Sequence, residues 1–156
     1  MIEKKCLEVN MAGLSPILCE VIAAGGNVEL TVTGNSMYPM LRHRVSRVKL
    51  SAADGLKVGD VPLYIRNNGA YVLHRIIKAE NGIYSMCGDN QWVLEKGIRR
   101  DQVIAVMTAF SRDGKKWTDC DNALYIMYRR VWLAVRLVRR LWHGGINRLR
   151  RLLKWH

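Results

Sequence analysis

A serine lies in a short turn that glycine and proline define, at the end of a predicted strand. Residues 33–40 read Thr-Gly-Asn-Ser-Met-Tyr-Pro-Met, so Ser36 follows Gly34 and precedes Pro39. Such a turn exposes a hydroxyl while the next backbone N–H groups point inward, where they could receive an oxyanion. Because a serine hydroxyl is a weak nucleophile, catalysis also needs a nearby base. By itself the pattern is more often that of an ordinary turn.

Two of the four histidines are candidates for that base. His74 lies within the strand-like segment 71–77, where alternation places it on the same face as Ile76. An imidazole on the buried side of a β domain is suited to general-base catalysis, although a core histidine without a catalytic role is the alternative. His43 is the rival base because it is closer to Ser36 in sequence, but it lies between two arginines in an expected solvated loop. We therefore favour His74.

A carboxylate follows the strand predicted to pair with the histidine's strand. Asp89 belongs to the Gly-Asp-Asn segment 88–90, directly after the predicted strand 83–87. There it could orient the imidazole, as the third member of a catalytic triad does. Asp60 and Asp101 are rivals for that role, and an ordinary turn is the structural alternative for Gly-Asp-Asn.

The elements that would position these residues are mostly strands. Apolar and polar residues alternate over 28–33 and over 47–50. Asn-Gly pairs at 68–69 and 81–82 separate further apolar segments, and this dipeptide is a strong hairpin signal because both residues accept a positive φ. We count six or seven strands between residues 27 and 119. This pattern predicts a mainly β fold, a curled antiparallel β domain.

Helical segments are predicted on both sides of the β domain. In the N-terminal segment 1–26, Ser15 and Pro16 indicate a helix start, with serine at the N-cap and proline at the first helical position. From residue 120 to residue 156 the sequence predicts a basic amphipathic helical tail, with apolar residues on one face and arginines on the other. The predicted organisation is therefore a helical segment 1–26, a β domain 27–119 and a tail 120–156.

Positive charge is concentrated in the tail. The 156 residues include 25 Lys and Arg against 13 Asp and Glu, and segment 125–156 holds nine of the basic residues and no acidic one. An arginine at a bilayer centre costs about 2.5–3.5 kcal/mol, whereas a cation near an anionic leaflet gains about 1 kcal/mol. The tail therefore predicts peripheral binding to an anionic membrane surface through residues 125–156. A solvated face and nucleic-acid binding are the alternatives.

The composition argues against several classes of protein. Apolar residues make up 49% of the chain, which is enough to fill a core. No apolar run approaches the roughly 20 residues of a membrane-spanning helix, and polar residues interrupt any signal-like segment near the N-terminus. The four cysteines lie far apart without a Cys-x-x-Cys pattern, so we expect reduced thiols, no metal site and no cofactor. The expected location is cytoplasmic, peripheral at the membrane.

Taken together, the motifs resemble the superfamily of signal peptidase I and LexA-type serine peptidases. The resemblance covers roughly residues 27–110. Its His-Arg pair is similar to the branch with a histidine base, found in archaeal and endoplasmic-reticulum signal peptidases, and differs from the branch with a lysine base. The matching segments are Gly34-x-Ser36-Met37-x-Pro39, Lys57-Val58-Gly59-Asp60-Val61, Val72-Leu73-His74-Arg75-Ile76-Ile77, Gly88-Asp89-Asn90 and Val103-Ile104-Ala105-Val106.

The resemblance implies an activity and a set of roles. It implies Ser36 as nucleophile, His74 as base, Asp89 as the orienting acid, and the Ser36 hydroxyl or N–H as a group that binds the oxyanion. The implied substrates are leader or signal-like peptides with small residues just before the cut, bound as an extended strand at the edge of the β domain. The alternative function is a catalytically silent module of the same fold that binds peptides, anionic membrane or nucleic acid.

Three departures from the family pattern affect these expectations. No membrane anchor is expected, which leaves open the side of the membrane on which substrates would be met. Pro62 stands where the family usually has an N–H donor, which predicts an edge strand. Ala105 stands where a glycine is common. A self-cleaving repressor is disfavoured because no DNA-binding domain is expected before residue 27.

Overall fold

The computed structural model describes residues 11–136, with side chains over 16–136. Contacts within the chain divide it into two compact units, Met1–Cys120 and Asp121–His156. The predicted tail beyond residue 136 lies outside the described residues. In the described part, no helix is long and apolar enough to cross a bilayer.

Between residues 11 and 120 the structure describes one α-helix, nine strands and a single 3₁₀ turn, Arg100–Gln102. All strand pairs are antiparallel, which confirms the predicted mainly β, antiparallel class. The elements are α1 (Met11–Ala23), β1 (Val28–Thr31), β2 (Arg47–Ser51), β3 (Pro62–Ile65), β4 (Tyr71–Leu73), β5 (Arg75–Glu80), β6 (Ile83–Cys87), β7 (Glu95–Arg99), β8 (Val103–Ser111) and β9 (Trp117–Asp119).

The strands form two sheets. The larger sheet has the order β1-β2-β8-β3-β4, with β9 also paired to β8, and the smaller sheet has the order β5-β6-β7. Buried side chains from both sheets form one core that joins the two sheets. Burying one large apolar side chain contributes roughly 1.5–3 kcal/mol to stability. The members of this core are Ala53, Tyr64, Ile76, Tyr84, Met86, Ile98 and Val103.

The segment predicted as one strand over 71–77 is two strands. It divides at His74, so that β4 belongs to the larger sheet and β5 to the smaller one. Together with β7 and β9, which lack clear alternation, this division explains why the sequence count of six or seven was too low. The division puts His74 at the junction of the two sheets.

The two Asn-Gly pairs form different turns. Asn81 and Gly82 have φ of 47° and 74° and join Glu80 directly to its partner Ile83, which is the predicted two-residue turn with both central residues at positive φ. At the other pair only Gly69 has a positive φ, and the loop between β3 and β4 spans residues 66–70. In the longer loop the Gly69 N–H donates a 2.9 Å hydrogen bond to the Arg66 carbonyl.

Two expectations based on proline were wrong. Pro62 predicted an edge strand, but β3 lies between β8 and β4. Pro62 is tolerated there because it is the first residue of its strand, where a missing ladder donor costs least. Pro16 lies inside α1, which already begins at Met11. A proline near a helix start removes one backbone hydrogen bond, and here the helix continues on its N-terminal side.

The described part of the second unit is a helix, α2, over residues 123–136. Asn122 caps it, because its Oδ1 accepts a 2.9 Å hydrogen bond from the Leu124 N–H. The rings of Tyr125 and Tyr128 stack with their centroids 6.3 Å apart. A row of exposed apolar side chains, which we call the α2 stripe, follows the helical spacing of three and four residues: Leu124, Met127, Val131 and Val135.

Candidate active site

Ser36 lies in a turn whose apolar neighbours anchor it. The turn follows β1 directly, and the side chains of Met37, Met40 and Leu41 are buried while Ser36 itself is half-buried. The Leu41 N–H donates to the Met37 carbonyl at 2.9 Å, which closes the turn. The buried apolar side chains therefore fix the turn backbone, while the Ser36 side chain remains partly accessible.

The turn that holds Ser36 contacts the segment that holds Asp89. The Asn90 N–H donates to the Ser36 carbonyl at 2.8 Å, and Asn90 Nδ2 donates to the Asn35 carbonyl at 3.3 Å. Gly88 permits this approach, because a Cβ there would lie 2.5 Å from the Ser36 carbonyl oxygen. Glycine is required by space here, whatever its backbone angles. Two segments more than fifty residues apart are thereby brought together.

Arg75 and Asp89 form a buried ion pair behind this contact. Arg75 Nε and Nη2 donate to the two Asp89 carboxylate oxygens, each at 2.8 Å, and both side chains are 0% exposed. Arg75 Nη1 also donates to the Gly59 carbonyl at 2.9 Å, and Nη2 contacts Met40 Sδ at 3.1 Å. One guanidinium therefore holds three loops, including the C-terminal end of the serine turn.

His74 is almost fully buried and is bonded at one ring nitrogen. Its exposed fraction is 1%. Nδ1 lies 3.0 Å from Glu95 Oε1 and 3.2 Å from the Tyr64 hydroxyl. Glu95 is held in turn by Arg66, whose Nε donates to Oε2 at 2.7 Å and whose Nη2 donates to Oε1. This arrangement of a carboxylate, an imidazole and a supporting cation fixes the plane of the His74 ring.

The hydrogen bonds assign the His74 tautomer. An ionised carboxylate only accepts hydrogen bonds, so the proton between Glu95 and Nδ1 belongs to the imidazole. The neutral ring then carries its lone pair on Nε2. A neutral imidazole with its lone pair on Nε2 is the form that a general base requires.

The surroundings shift the pKa values of this cluster in different directions. Burial lowers the pKa of His74, and the opposing charge of Glu95 only partly offsets it. Burial by itself raises the pKa of Glu95, but the hydrogen bonds from Arg66 and Tyr64 outweigh it and the net pKa is lowered. Burial, followed by the hydrogen bond with Glu95, raises the pKa of Tyr64. At neutral pH the cluster therefore holds a neutral His74 beside an ionised Glu95.

Glu95 was missed by the sequence reasoning, and it occupies the place expected of Asp89. The expected contact between Asp89 and His74 is corrected by the structure, because Asp89 is bound to Arg75 while Glu95 meets Nδ1. The physical reason is that the strand divides at His74. The side chains of His74 and Arg75 therefore meet different carboxylates, Glu95 and Asp89. Glu95 begins β7 and precedes Lys96 and a glycine, so its local sequence is that of a surface turn and carries no signal of this role.

The rival residues have other partners. His43 Nδ1 accepts a 2.8 Å hydrogen bond from the Gly34 N–H, so the single lone pair of its neutral ring is already used. Asp60 Oδ2 accepts from the Lys57 N–H at 3.0 Å. Asp101 forms an exposed pair with Arg99. His43 is therefore not placed to act as the base toward Ser36.

An open cavity of about 570 Å³ borders the cluster. Glu95 lines it, so the cavity reaches the residue that holds His74. The exposed Trp92 and Val93 form an apolar part of its wall. Its lining residues are Arg66, Asn90, Gln91, Trp92, Val93 and Glu95.

Ser36 and His74 are linked through intermediaries. In the described part of the chain, no hydrogen bond joins the Ser36 hydroxyl to the imidazole. The connection runs from His74 to its neighbour Arg75, then through Asp89 and its neighbour Asn90 to the Ser36 carbonyl. Among the described residues no group of three or more His, Cys, Asp or Glu side chains is placed to hold a metal ion.

Comparison with known proteins finds no match, either to a protein-family model or to a curated protein.

Proposed function

We propose that the protein is a serine endopeptidase that resembles signal peptidases and cleaves leader or signal-like peptides. The observation that carries the proposal is the buried His74, whose Nδ1 is held by an ionised Glu95 while Nε2 keeps the lone pair. A histidine buried only for packing does not need an ionised carboxylate and its supporting arginine on one nitrogen. That arrangement is the one by which a base is oriented toward a nucleophile.

In the proposed reaction Ser36 is the nucleophile. His74 Nε2 removes the Oγ proton as Oγ forms a bond to the scissile carbonyl carbon. Glu95 stabilises the imidazolium that results. The oxyanion of the tetrahedral intermediate is bound by the Ser36 N–H, which donates to no other group in the described segments. The substrate must bring Oγ and Nε2 together, since catalytic hydrogen bonds often tighten only when substrate is bound.

The same imidazole completes the cleavage. As the peptide C–N bond breaks, His74 gives its proton to the leaving amine, and the acyl group remains on Ser36 Oγ. A water molecule then attacks the acyl carbon while His74 Nε2 takes a proton from that water. The Ser36–acyl bond breaks, Oγ recovers the proton from His74, and the carboxylate product leaves. Only water and the peptide are consumed.

An extended peptide fits the edges of the larger sheet. β1 and β4 are the two ends of its strand order; β1 runs into the serine turn, and β4 ends directly before His74. A substrate strand bound at such an edge gains main-chain hydrogen bonds and passes the site in extended form. The preference for small residues before the cut is carried by the family resemblance.

The proposal is tested by comparing N-terminal peptides in host cells that produce the wild type, Ser36→Ala or His74→Ala. We expect new N-termini in the wild type that disappear in both variants, because each removes a group that the chemical step requires. Ser51→Ala, at the end of β2, is the matched control and keeps every new terminus. Mass spectrometry of N-terminal peptides gives the cut sites directly.

Two results would contradict the proposal or part of it. If Ser36→Ala, folded to the same extent as the wild type, retains every new N-terminus, then Ser36 is not the nucleophile and the peptidase proposal fails. If cleavage depends on Ser36 but the residues before the cuts are large, the activity stands and the signal-like substrate class does not.

A second candidate function, membrane binding by the second unit, is favoured by the α2 stripe. Four exposed apolar side chains form this row, and Arg130 and Arg136 belong to the same helix. Arg136 also lies over the Trp132 ring, at 5.6 Å. An exposed apolar row with neighbouring cations is the pattern of a helix that lies in an anionic membrane interface. In this role the module could act with or without peptidase activity.

The stripe predicts binding to vesicles that contain an anionic lipid. We expect Met127→Ser with Val131→Ser to weaken flotation with phosphatidylserine–phosphatidylcholine vesicles about tenfold or more, because two buried apolar side chains are worth several kcal/mol. Exposed Ile83 on β6 provides a control, Ile83→Ser, that leaves binding unchanged. Equal binding of the double variant, or equal binding to vesicles of phosphatidylcholine alone, contradicts this role.

A further inference from the structure

His43 holds the backbone of the serine turn through a bond that depends on its protonation. The Gly34 N–H, two residues before Ser36, donates to His43 Nδ1 at 2.8 Å. Nδ1 can accept only in the neutral ring with its proton on Nε2, because an imidazolium carries N–H donors at both nitrogens. Protonation therefore replaces an attractive contact with two facing donors.

This bond continues a small backbone network. The Val32 N–H donates to the Ser46 carbonyl at 2.9 Å, and the Arg44 N–H donates to the Val32 carbonyl at 2.8 Å. These bonds tie the end of β1 to the turn that contains His43. The serine turn is also held by His43 at Gly34, by Asn90 at Asn35 and Ser36, and by Arg112 at Pro39.

We propose that His43 is a positioning residue that anchors the start of the Ser36 turn at Gly34 only while its imidazole is neutral, so that acid releases this anchor. The positioning role stands on the hydrogen bond itself. The consequence for cleavage rests on the proposed peptidase function. Glycine at position 34 fits this role, since its φ of 91° turns the N–H toward the ring and would strain any other residue.

Charged and titratable side chains lie on the turns next to His43. Its own turn contributes Arg42 and Arg44, and the serine turn contributes Tyr38. Arg112, directly after β8, donates to the Pro39 carbonyl at 3.1 Å. In the adjoining turn, hydrogen bonds from the backbone N–H groups of its neighbours hold the pKa of Asp113 at about 2.

The test is nuclear magnetic resonance of the isotope-labelled full chain as a function of pH. We expect a scalar coupling between the Gly34 amide nitrogen and His43 Nδ1 at neutral pH, lost as His43 protonates. In His43→Ala the Gly34 amide should exchange about three- to tenfold faster relative to an unstructured peptide, the worth of one hydrogen bond. In His43→Asn, whose Oδ1 replaces Nδ1 as an acceptor without titrating, protection should persist at acid pH.

The coupling and exchange measurements test the positioning role of His43 without any measurement of cleavage. Absence of the coupling at neutral pH, in a protein whose Asn90 amide remains protected, overturns it, and so does equal Gly34 protection in the wild type and His43→Ala. Where Ser36-dependent cleavage is measured, His43→Asn should retain activity at acid pH better than the wild type. Identical pH profiles of these two proteins overturn the regulatory part alone, while failure of the peptidase proposal leaves the coupling result unaffected.

Discussion

Glu95→Gln should lower kcat for Ser36-dependent cleavage about 10³–10⁴-fold while the protein remains folded. The variant keeps the size of the side chain but removes the negative charge that lies 3.0 Å from His74 Nδ1. The imidazolium formed during catalysis then loses its stabilising partner, and the tautomer with the proton on Nδ1 is no longer enforced. After Ser36 and His74, Glu95 is the residue whose substitution we expect to lower kcat most.

The pH profile separates this positioning role from a merely structural one. Burial lowers the pKa of His74 from its ordinary value of 6.5, so the acid limb of kcat/KM for the wild type should lie below that value. The Glu95 charge opposes the effect of burial. Glu95→Gln should therefore shift the acid limb to still lower pH while the plateau falls, because the uncharged amide no longer favours the imidazolium.

A matched control uses another glutamate paired with arginine. Glu29 on β1 is bound to Arg47. We expect Glu29→Gln to leave both kcat and the acid limb unchanged. A Glu95→Gln profile that superimposes on the wild type contradicts the role of Glu95. If folded Asp89→Asn loses kcat instead and Glu95→Gln does not, Asp89 is the orienting acid that the family resemblance implies.

Asp89→Asn should destabilise the first unit by about 3–5 kcal/mol, because it leaves the charge of Arg75 without its counter-charge in a buried position. This is a large part of the roughly 5–15 kcal/mol that stabilises a typical domain. The effect should also reach the serine turn, since Arg75 contacts Met40 and Asn90 follows Asp89. The measurement is the urea midpoint, with the slope used to check two-state unfolding.

Asp101→Asn is the control that isolates burial. Asp101 binds Arg99 with the same two-pronged geometry, at 3.0 Å for each bond, but its side chain is 66% exposed. Solvent screens such a pair, so we expect its removal to shift the urea midpoint little. If the two variants shift the midpoint equally, the buried pair has no special weight in this fold. A variant Asp89→Asn that fails to fold agrees with the prediction, provided that Asp101→Asn folds.

The class of the fold could be predicted from the sequence because hairpin signals act locally. At Asn81 and Gly82 the residue types themselves accept the positive φ that a two-residue turn needs, so the turn and its strands were expected correctly. The end of the 71–77 strand could not be predicted in this way. His74 and its neighbours alternate as in one strand, and only the competition between two sheets divides them.

In the candidate site, too, some features could be predicted from the sequence and others depend on the tertiary structure. Ser36 and His74 were expected from their residue types and from motifs with short spacing, which the sequence contains in full. Pairing Arg75 with Asp89 and His74 with Glu95 depends on which side chains meet in the interior, and charges buried away from water must find partners at the distances that packing allows. The sequence by itself determined the antiparallel β class, the turn at Asn81 and Gly82 and the chemistry available, whereas tertiary structure decided which carboxylate holds His74.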